Sequence, residues 1–378
     1  MHSRFTKIAA CLTLMLLVMS ALPVYAASFK ETQRKAQRGD AQAQYELGDM
    51  YRKGEGTKQN YKEAMKWYRK AADQGNLSAI NNIGYMYEYG LGVSRSYTKA
   101  VEYYRQAAEE GHITAQSNMG IMYENGTGVT RDYFEAVRWY RLAAENGSAN
   151  AQYYLGNMYY NGRGVKQDYF EAMSWYRKAG EQGHGDAQNT LGNMYYYGNG
   201  VRQDYSEAMR WYRRAADNGS SAGEYNVGFM YRNGYGVTQS NTEAVRWYRR
   251  AAEDGHATAM NDLGYMYRNG YGVKQNYDEA LRWYRASAER GDSYGQNSLG
   301  YMYQNGYGIR QDYYEAVRWY RRSAEQGNSY GQYNIGYMYR YGYGVEQDYD
   351  EAVSWWIKAA RQGHSDAKTE LEKLDVSW

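Results

Sequence analysis

The strongest constraint on this chain is a period. The phrase Leu47-Gly48-Asp49-Met50-Tyr51, with Gly54 and Gly56 behind it, returns every 36 residues. Its first glycine falls at Gly48, Gly84, Gly120, Gly156, Gly192, Gly228, Gly264, Gly300 and Gly336 without a slip in register. Such a repeat marks small units that bury their apolar faces on one another. A chain of 378 residues then reads as one stacked array, not as two or three globular domains.

Each unit holds two helical segments. In the first, helix A, Ala43, Leu47, Met50 and Tyr51 recur at i, i+4, i+7 and i+8, one face of a helix. Gly54-Glu55-Gly56 then ends the helix, because glycine accepts the positive φ that closes it. In the second, helix B, Tyr61, Ala64, Tyr68, Ala71 and Ala72 make an apolar stripe with Trp67 beside it, and Gly75 stops it. The single proline, Pro23, precedes all of this, as an almost wholly helical chain requires. Residues 27–40 read as an N-terminal capping helix, 41–366 as nine repeats, and 367–378 as a polar closing helix in which Glu372 stands where the helix A glycine would be.

Residues 1–26 carry the marks of a secretory signal peptide: Arg4 and Lys7, an apolar run from Ile8 to Leu22, and Val24-Tyr25-Ala26 at the cut. The run is short for a spanning helix, so no stable membrane span is expected after cleavage. Cleavage removes the only cysteine, Cys11, and with it any disulfide, thiolate metal site or cysteine nucleophile. Without Arg4 and Lys7 the 45 Lys+Arg become 43 against 42 Asp+Glu, a balance with no electrostatic footprint for nucleic acid. The expected location is outside the cytoplasm, periplasmic or secreted.

The unit reads A-x-x-x-L-G-x-M-Y-x-x-G-x-G-V-x-x-D-Y-x-E-A-x-x-W-Y-R-x-A-A-x-x-G, shown well by Ala151 to Gly156, Met158-Tyr159, Gly162-Arg163-Gly164-Val165, Asp168-Tyr169, Glu171-Ala172, Trp175-Tyr176-Arg177, Ala179 and Gly183. This resembles the Sel1-like repeat, a relative of the tetratricopeptide repeat. The resemblance implies an all-α fold, a right-handed superhelical solenoid of α/α hairpins with helix A on the concave side. It also implies an adaptor that assembles protein complexes, with exported bacterial members tied to the cell envelope or to host contact. Some secreted relatives carry a cysteine pair in each repeat, which this chain lacks.

Several recurrent residues invite a functional reading and have a plainer one. Gly48 inside a helix costs about 1 kcal/mol relative to alanine. Its recurrence points to close approach of helix A to a small helix B residue such as Ala64. The tryptophans from Trp67 to Trp355 read as packing between repeats. The Glu63 series, three residues after Asn60, Asp132 or Asp168, reads as a capping box. The Arg69 series reads as solvated cations paired with nearby carboxylates. His112, His184, His256 and His364 are two or three repeats apart and sit at turns, too distant to hold one metal. Gly-x-Gly follows a helix and lacks the Lys-Ser/Thr of a phosphate loop. No catalytic residue, metal or cofactor is expected.

Specificity in such an array belongs where units vary and stay exposed. Helix A supplies Asn82, Asn118, Tyr154, Asn226, Asn261, Asn297 and Asn334 before its Leu/Ile/Val-Gly or Met-Gly pair, and Tyr265, Tyr301 and Tyr337 just after it. Amides hold an extended backbone and tyrosines add contact area at low entropy cost, so these residues are the expected groove for a partner segment. The loop tyrosines Tyr235, Tyr271, Tyr307 and Tyr343 form a second candidate strip. The function expected is an exported protein–protein interaction scaffold. The alternative is peptidoglycan or carbohydrate binding through the aromatic rows, and the weakest is a hydrolase.

Overall fold

The computed structural model describes residues 28–378, and the signal-peptide reading of 1–26 lies outside them. Every regular element described is a helix. They are α1 (28–37), α2 (Ala41–Lys53), α3 (Tyr61–Ala72), α4 (Leu77–Tyr89), α5 (Tyr97–Glu109), α6 (Ile113–Asn125), α7 (Tyr133–Glu145), α8 (Ala149–Asn161), α9 (Tyr169–Glu181), α10 (Gly185–Tyr197) and α11 (Tyr205–Asp217). Then follow α12 (Ser221–Asn233), α13 (Asn241–Glu253), α14 (Ala257–Asn269), α15 (Tyr277–Glu289), α16 (Ser293–Asn305), α17 (Tyr313–Glu325), α18 (Ser329–Tyr341), α19 (Tyr349–Arg361) and α20 (Ser365–Lys373). Even-numbered helices from α2 to α18 are helix A of the nine repeats, and their odd-numbered successors are helix B. The chain divides into two compact units within α9, one through Ala179 and one from Gly180.

The turns explain why the period is rigid. Helix A of repeat four ends at Gly162, with φ 66°, whose N–H returns to the Met158 carbonyl. The second loop glycine is fixed by a different contact. A Cβ on Gly92 would stand 2.7 Å from the Tyr61 carbonyl carbon, at the start of the preceding helix B. The loop of one repeat therefore rests on the backbone of the repeat before it, and only glycine fits.

Helix B starts on a side-chain cap, as expected, but the full capping box is not built. Asp132 Oδ1 accepts from the backbone N–H groups of Phe134 and Glu135 at 2.9 and 3.1 Å. The reciprocal bond from Glu135 to the Asp132 N–H is replaced, because that N–H already donates to the Tyr123 carbonyl of helix A. Glu135 instead pairs with Arg138 at 2.9 Å, and Glu279 and Glu315 pair likewise with Arg282 and Arg318.

Gly48 does mark a close approach, with a different main partner. A Cβ there would lie 2.6 Å from Cδ1 of Tyr68, and one on Gly156 would lie 2.6 Å from Cε1 of Tyr176. The aromatic ring of helix B lies flat on the helix A backbone. The alanine contributes its carbonyl, Ala316 O standing 3.2 Å from the Cβ position of Gly300. In the last repeat Trp356 takes the place of the tyrosine against Gly336, 2.7 Å from that Cβ position. Leu155, Met158, Ala172 and Tyr176 are fully buried around this contact, and their counterparts repeat it in both units.

The tryptophan row is packing. Trp139 belongs to a buried apolar cluster that includes Tyr104, Ala107 and Ala108 of the preceding repeat, and Trp283 to one that includes Tyr248, Ala251 and Ala252 of the repeat before it. Its outward face is covered: Arg138 lies 4.3 Å from the Trp139 ring centroid and Lys178 3.8 Å from that of Trp175. Such contacts contribute about 0.5–1 kcal/mol each when exposed.

Candidate helix A interaction face

Polar side chains on helix A pin each repeat to the one before it. A buried glutamine on helix A, represented by Gln152 and Gln188, donates to the carbonyl eight residues back, Ala144 O at 3.0 Å and Gly180 O at 2.7 Å. Its own carbonyl accepts from the following helix B, as Gln188 does from Asn218 at 3.1 Å. This series was not read from the sequence; its signal is a polar residue recurring at a position the helix A stripe predicts to be apolar. Repeat six carries Glu224 there, which pairs with Arg250 at 2.8 Å and is almost fully buried. Burial raises its pKa, and Arg250 opposes the shift.

The arginine row has tyrosine partners. Arg105 donates to the Tyr123 hydroxyl at 2.9 Å, Arg249 to that of Tyr267 at 2.6 Å and Arg321 to that of Tyr339 at 2.6 Å. These bonds join helix B of one repeat to helix A of the next, which corrects the expectation of carboxylate pairing. The histidines sit at their expected turns with a defined task. Nδ1 of His112, His184 and His256 accepts the N–H of Ala115, Ala187 and Ala259 at 3.2, 3.3 and 3.2 Å, capping helix A, and His364 caps α20 on Ala367. Burial lowers the pKa of all four imidazoles, which favours the neutral ring that this cap requires.

All the expected groove residues lie on helix A and are half-buried. Their amides are partly engaged with one another. Asn118 donates to Asn81 at 3.0 Å, Asn226 to Asn189 at 2.8 Å, and Asn334 to Asn297 at 2.8 Å. Asn261 accepts from Ser298 at 2.9 Å, and Asn82 accepts from Asn81 at 3.3 Å. A side-chain amide offers two donors and two acceptor positions, so these bonds use part of the capacity and align the rest along the face.

Tyrosine hydroxyls from helix B reach the same face. Tyr104 and Tyr140 donate to Glu88 and Glu124 at 2.7 Å each, while Tyr176 and Tyr212 donate to Asn157 and Asn193, also at 2.7 Å. Beyond them lies the aromatic surface. Tyr154 stacks on Tyr140 at 5.2 Å, and Tyr337 packs on Tyr341 at 4.6 Å. Tyr265 takes Arg232 at 4.7 Å and Arg268 at 5.5 Å, and Arg268 also lies 4.9 Å from the Tyr301 centroid. Asp262 stands within the face, 3.8 Å from Arg232 and 3.3 Å from the Tyr225 hydroxyl, and burial raises its pKa.

The loop tyrosines are largely committed to packing. Tyr235, Tyr307 and Tyr343 stack on Tyr205, Tyr277 and Tyr313, the first residues of preceding helix B segments, at 4.9, 4.8 and 5.0 Å. For Tyr271 that position holds Asn241, so no such ring is available; Tyr271 packs on Tyr265 at 5.8 Å and is 44% exposed.

A stack of two-helix units with a fixed buried frame and a variable, half-exposed helix A face defines a helical repeat solenoid. The Sel1 repeat family model matches nine consecutive segments: 41–76, 77–112, 113–148, 149–184, 185–220, 221–256, 257–292, 293–328 and 329–364. The chain belongs to the Sel1 repeat family. It is 36% identical to c5321, described as a protective antigen of uropathogenic Escherichia coli strains with an SLR fold, over 92% of this chain and 82% of that one, with a TM-score of 0.66. It is 33% identical to a Sel1 repeat protein from Oxalobacter formigenes over 82% of this chain and 90% of that one, with a TM-score of 0.63. A search of curated proteins returned no match. Sel1 repeat proteins generally mediate protein–protein interaction and are typically non-catalytic. No described helix is long and apolar enough to cross a membrane.

Proposed function

We propose that the protein is an exported interaction scaffold that holds an extended segment of a partner protein along its helix A face, in the periplasm or outside a bacterial cell. One observation carries this reading. Within the repeated phrase, leucine, glycine and methionine are buried at Leu155, Gly156 and Met158, whereas the residue between glycine and methionine is half-exposed and differs between repeats, as at Asn157, Phe229 and Tyr265. Fixed packing with a changing exposed side chain is how an array presents a specific surface. The tryptophan row, covered by lysine and arginine, favours this face over a sugar-stacking ladder.

Affinity capture with the mature chain, from a cell-envelope fraction and from host-cell extract, tests the proposal. Tyr265→Ala/Tyr301→Ala is expected to lose a partner that Phe134→Ala/Phe170→Ala retains. Identical partner sets for both would remove the helix A assignment. Export is tested separately by fractionation and N-terminal sequencing, with a mature chain expected to begin at Ala27.

A further inference from the structure

One aromatic cluster on the helix A face of the second unit differs from its neighbours. In the two repeats that follow, each tyrosine after the glycine carries a cation from the preceding repeat: Arg232 over Tyr265 and Arg268 over Tyr301. The residue that should cover Phe229 in the same way is Tyr196, 33 positions before it. Its ring meets Phe229 at 6.0 Å and 70°, and meets Tyr197 at 4.8 Å and 85°. These edge-to-face contacts turn ring faces in different directions.

Between them lies a cleft of about 150 Å³, lined by Tyr196, Tyr197, Tyr225 and Phe229 with the amides of Asn193 and Asn226, and Tyr212 at its floor. That is roughly ten times the volume one water needs, room for a side-chain head group. Tyr197 is 66% exposed, so the cleft opens outward. Among the described residues no lysine or arginine lines it. Arg232, on the same helix as Phe229, turns instead to Tyr265 and Asp262. The local polarity favours positive charge. Asn226 spends its N–H on Asn189, which leaves its carbonyl oxygen as an acceptor. The Tyr225 hydroxyl donates to the Asp262 carboxyl at 3.3 Å, which leaves its oxygen as an acceptor toward the cleft.

We infer that this cleft takes a lysine or arginine side chain of the partner segment, held by the ring faces and the amide oxygens. The inference rests on the helix A reading above and names the chemistry of one contact within it. An apolar side chain has the right size. The electron-rich rings, the oxygen acceptors and the absence of a lining cation favour an ammonium or guanidinium, the group that this chain itself places over Tyr265 and Tyr301.

The chain has five phenylalanines, of which Phe5 lies in the leader, so the mature protein labelled with 4-fluorophenylalanine gives resonances from Phe29, Phe134, Phe170 and Phe229. Phe229→Leu assigns the relevant signal. Titration with tetramethylammonium chloride is expected to shift the Phe229 signal saturably, with tert-butanol roughly tenfold weaker. The exposed Phe134 and Phe170 signals, and sodium chloride, serve as controls. Tyr197→Leu, at an exposed site, should weaken tetramethylammonium several-fold with helicity unchanged. Equal or tighter binding of tert-butanol would make the cleft an apolar socket, tighter binding of pivalate an anion site, and no saturable shift no site at all; each overturns the inference. If it falls while Tyr265→Ala/Tyr301→Ala still loses its partner, the scaffold reading stands and only the cationic contact is withdrawn.

Discussion

The two units share a core and differ in charge on helix A. In the first, at the position four residues after the helix A glycine, Glu88 and Glu124 accept the hydroxyls of Tyr104 and Tyr140, with a single arginine, Arg52, in the same place. In the second, the same helix position carries Arg232, Arg268 and Arg340, with arginine on the tyrosine rings in place of carboxylate beneath them. A nearly neutral total conceals this. Because the buried frame is the same in both units, such differences change what the surface attracts without changing how the chain stacks. Each unit can therefore present its own chemistry to one partner or to two.

The largest test breaks the shared frame. Gly156→Leu in the first unit and Gly300→Leu in the second drive a side chain into the rings of Tyr176 and Tyr320. Each should cost about 3 kcal/mol, the upper end of what overpacking a buried contact costs. Comparable loss in chemical denaturation is expected; damage in one unit alone would mean that the cores are not equivalent.

A smaller effect separates the units at the buried glutamine. Glu224 replaces it in repeat six, and its folded pKa is raised above the unfolded value. Such a carboxyl contributes stability when protonated and loses it as pH rises through the folded pKa. Glu224→Gln should therefore gain about 1 kcal/mol at pH 7. The gain should shrink toward pH 4 in melting experiments; a gain independent of pH would point away from the charge.

The histidine caps give the opposite sign. The folded pKa of His256 is lowered, so its stabilisation is complete above the unfolded value of about 6.5 and fades as pH falls below it. Asp292 opposes the shift, and Tyr225 stacks on the ring at 4.8 Å. His256→Asn should match the parent at pH 8 and exceed it by up to about 1 kcal/mol at pH 5. Parallel pH profiles for parent and variant would show that the cap does not titrate. The smallest effect concerns Tyr271. Asn241→Tyr supplies the ring that Tyr235, Tyr307 and Tyr343 already have, and should add about 0.5–1 kcal/mol. No rise in melting temperature would mean that loop stacking is incidental.

The period made the fold legible: hairpin boundaries, glycine turns, helix B caps and buried tryptophans all follow from spacing within one unit. What escaped were contacts that depend on how one helix lies on another. Gly48 announces closeness, yet nothing in the spacing says that the ring of Tyr68, twenty residues on, lies there rather than Ala64. Asn118 and Asn81 are 37 residues apart, and Arg105 and Tyr123 are 18 apart. Those bonds cross between helices, so they require the register of stacking as well as the period. The expected groove residues lie on helix A, as their spacing requires, but the ladder of bonds among them depends on that register.

The central claim is that partners are held by helix A. Photo-crosslinking in the producing cell tests it directly, with benzoylphenylalanine at Tyr265 or Tyr301 on helix A and, in separate chains, at Phe134 or Tyr314 on the exposed start of helix B. The account predicts a discrete adduct from the helix A positions and none from the helix B positions. Adducts from helix B alone would contradict it.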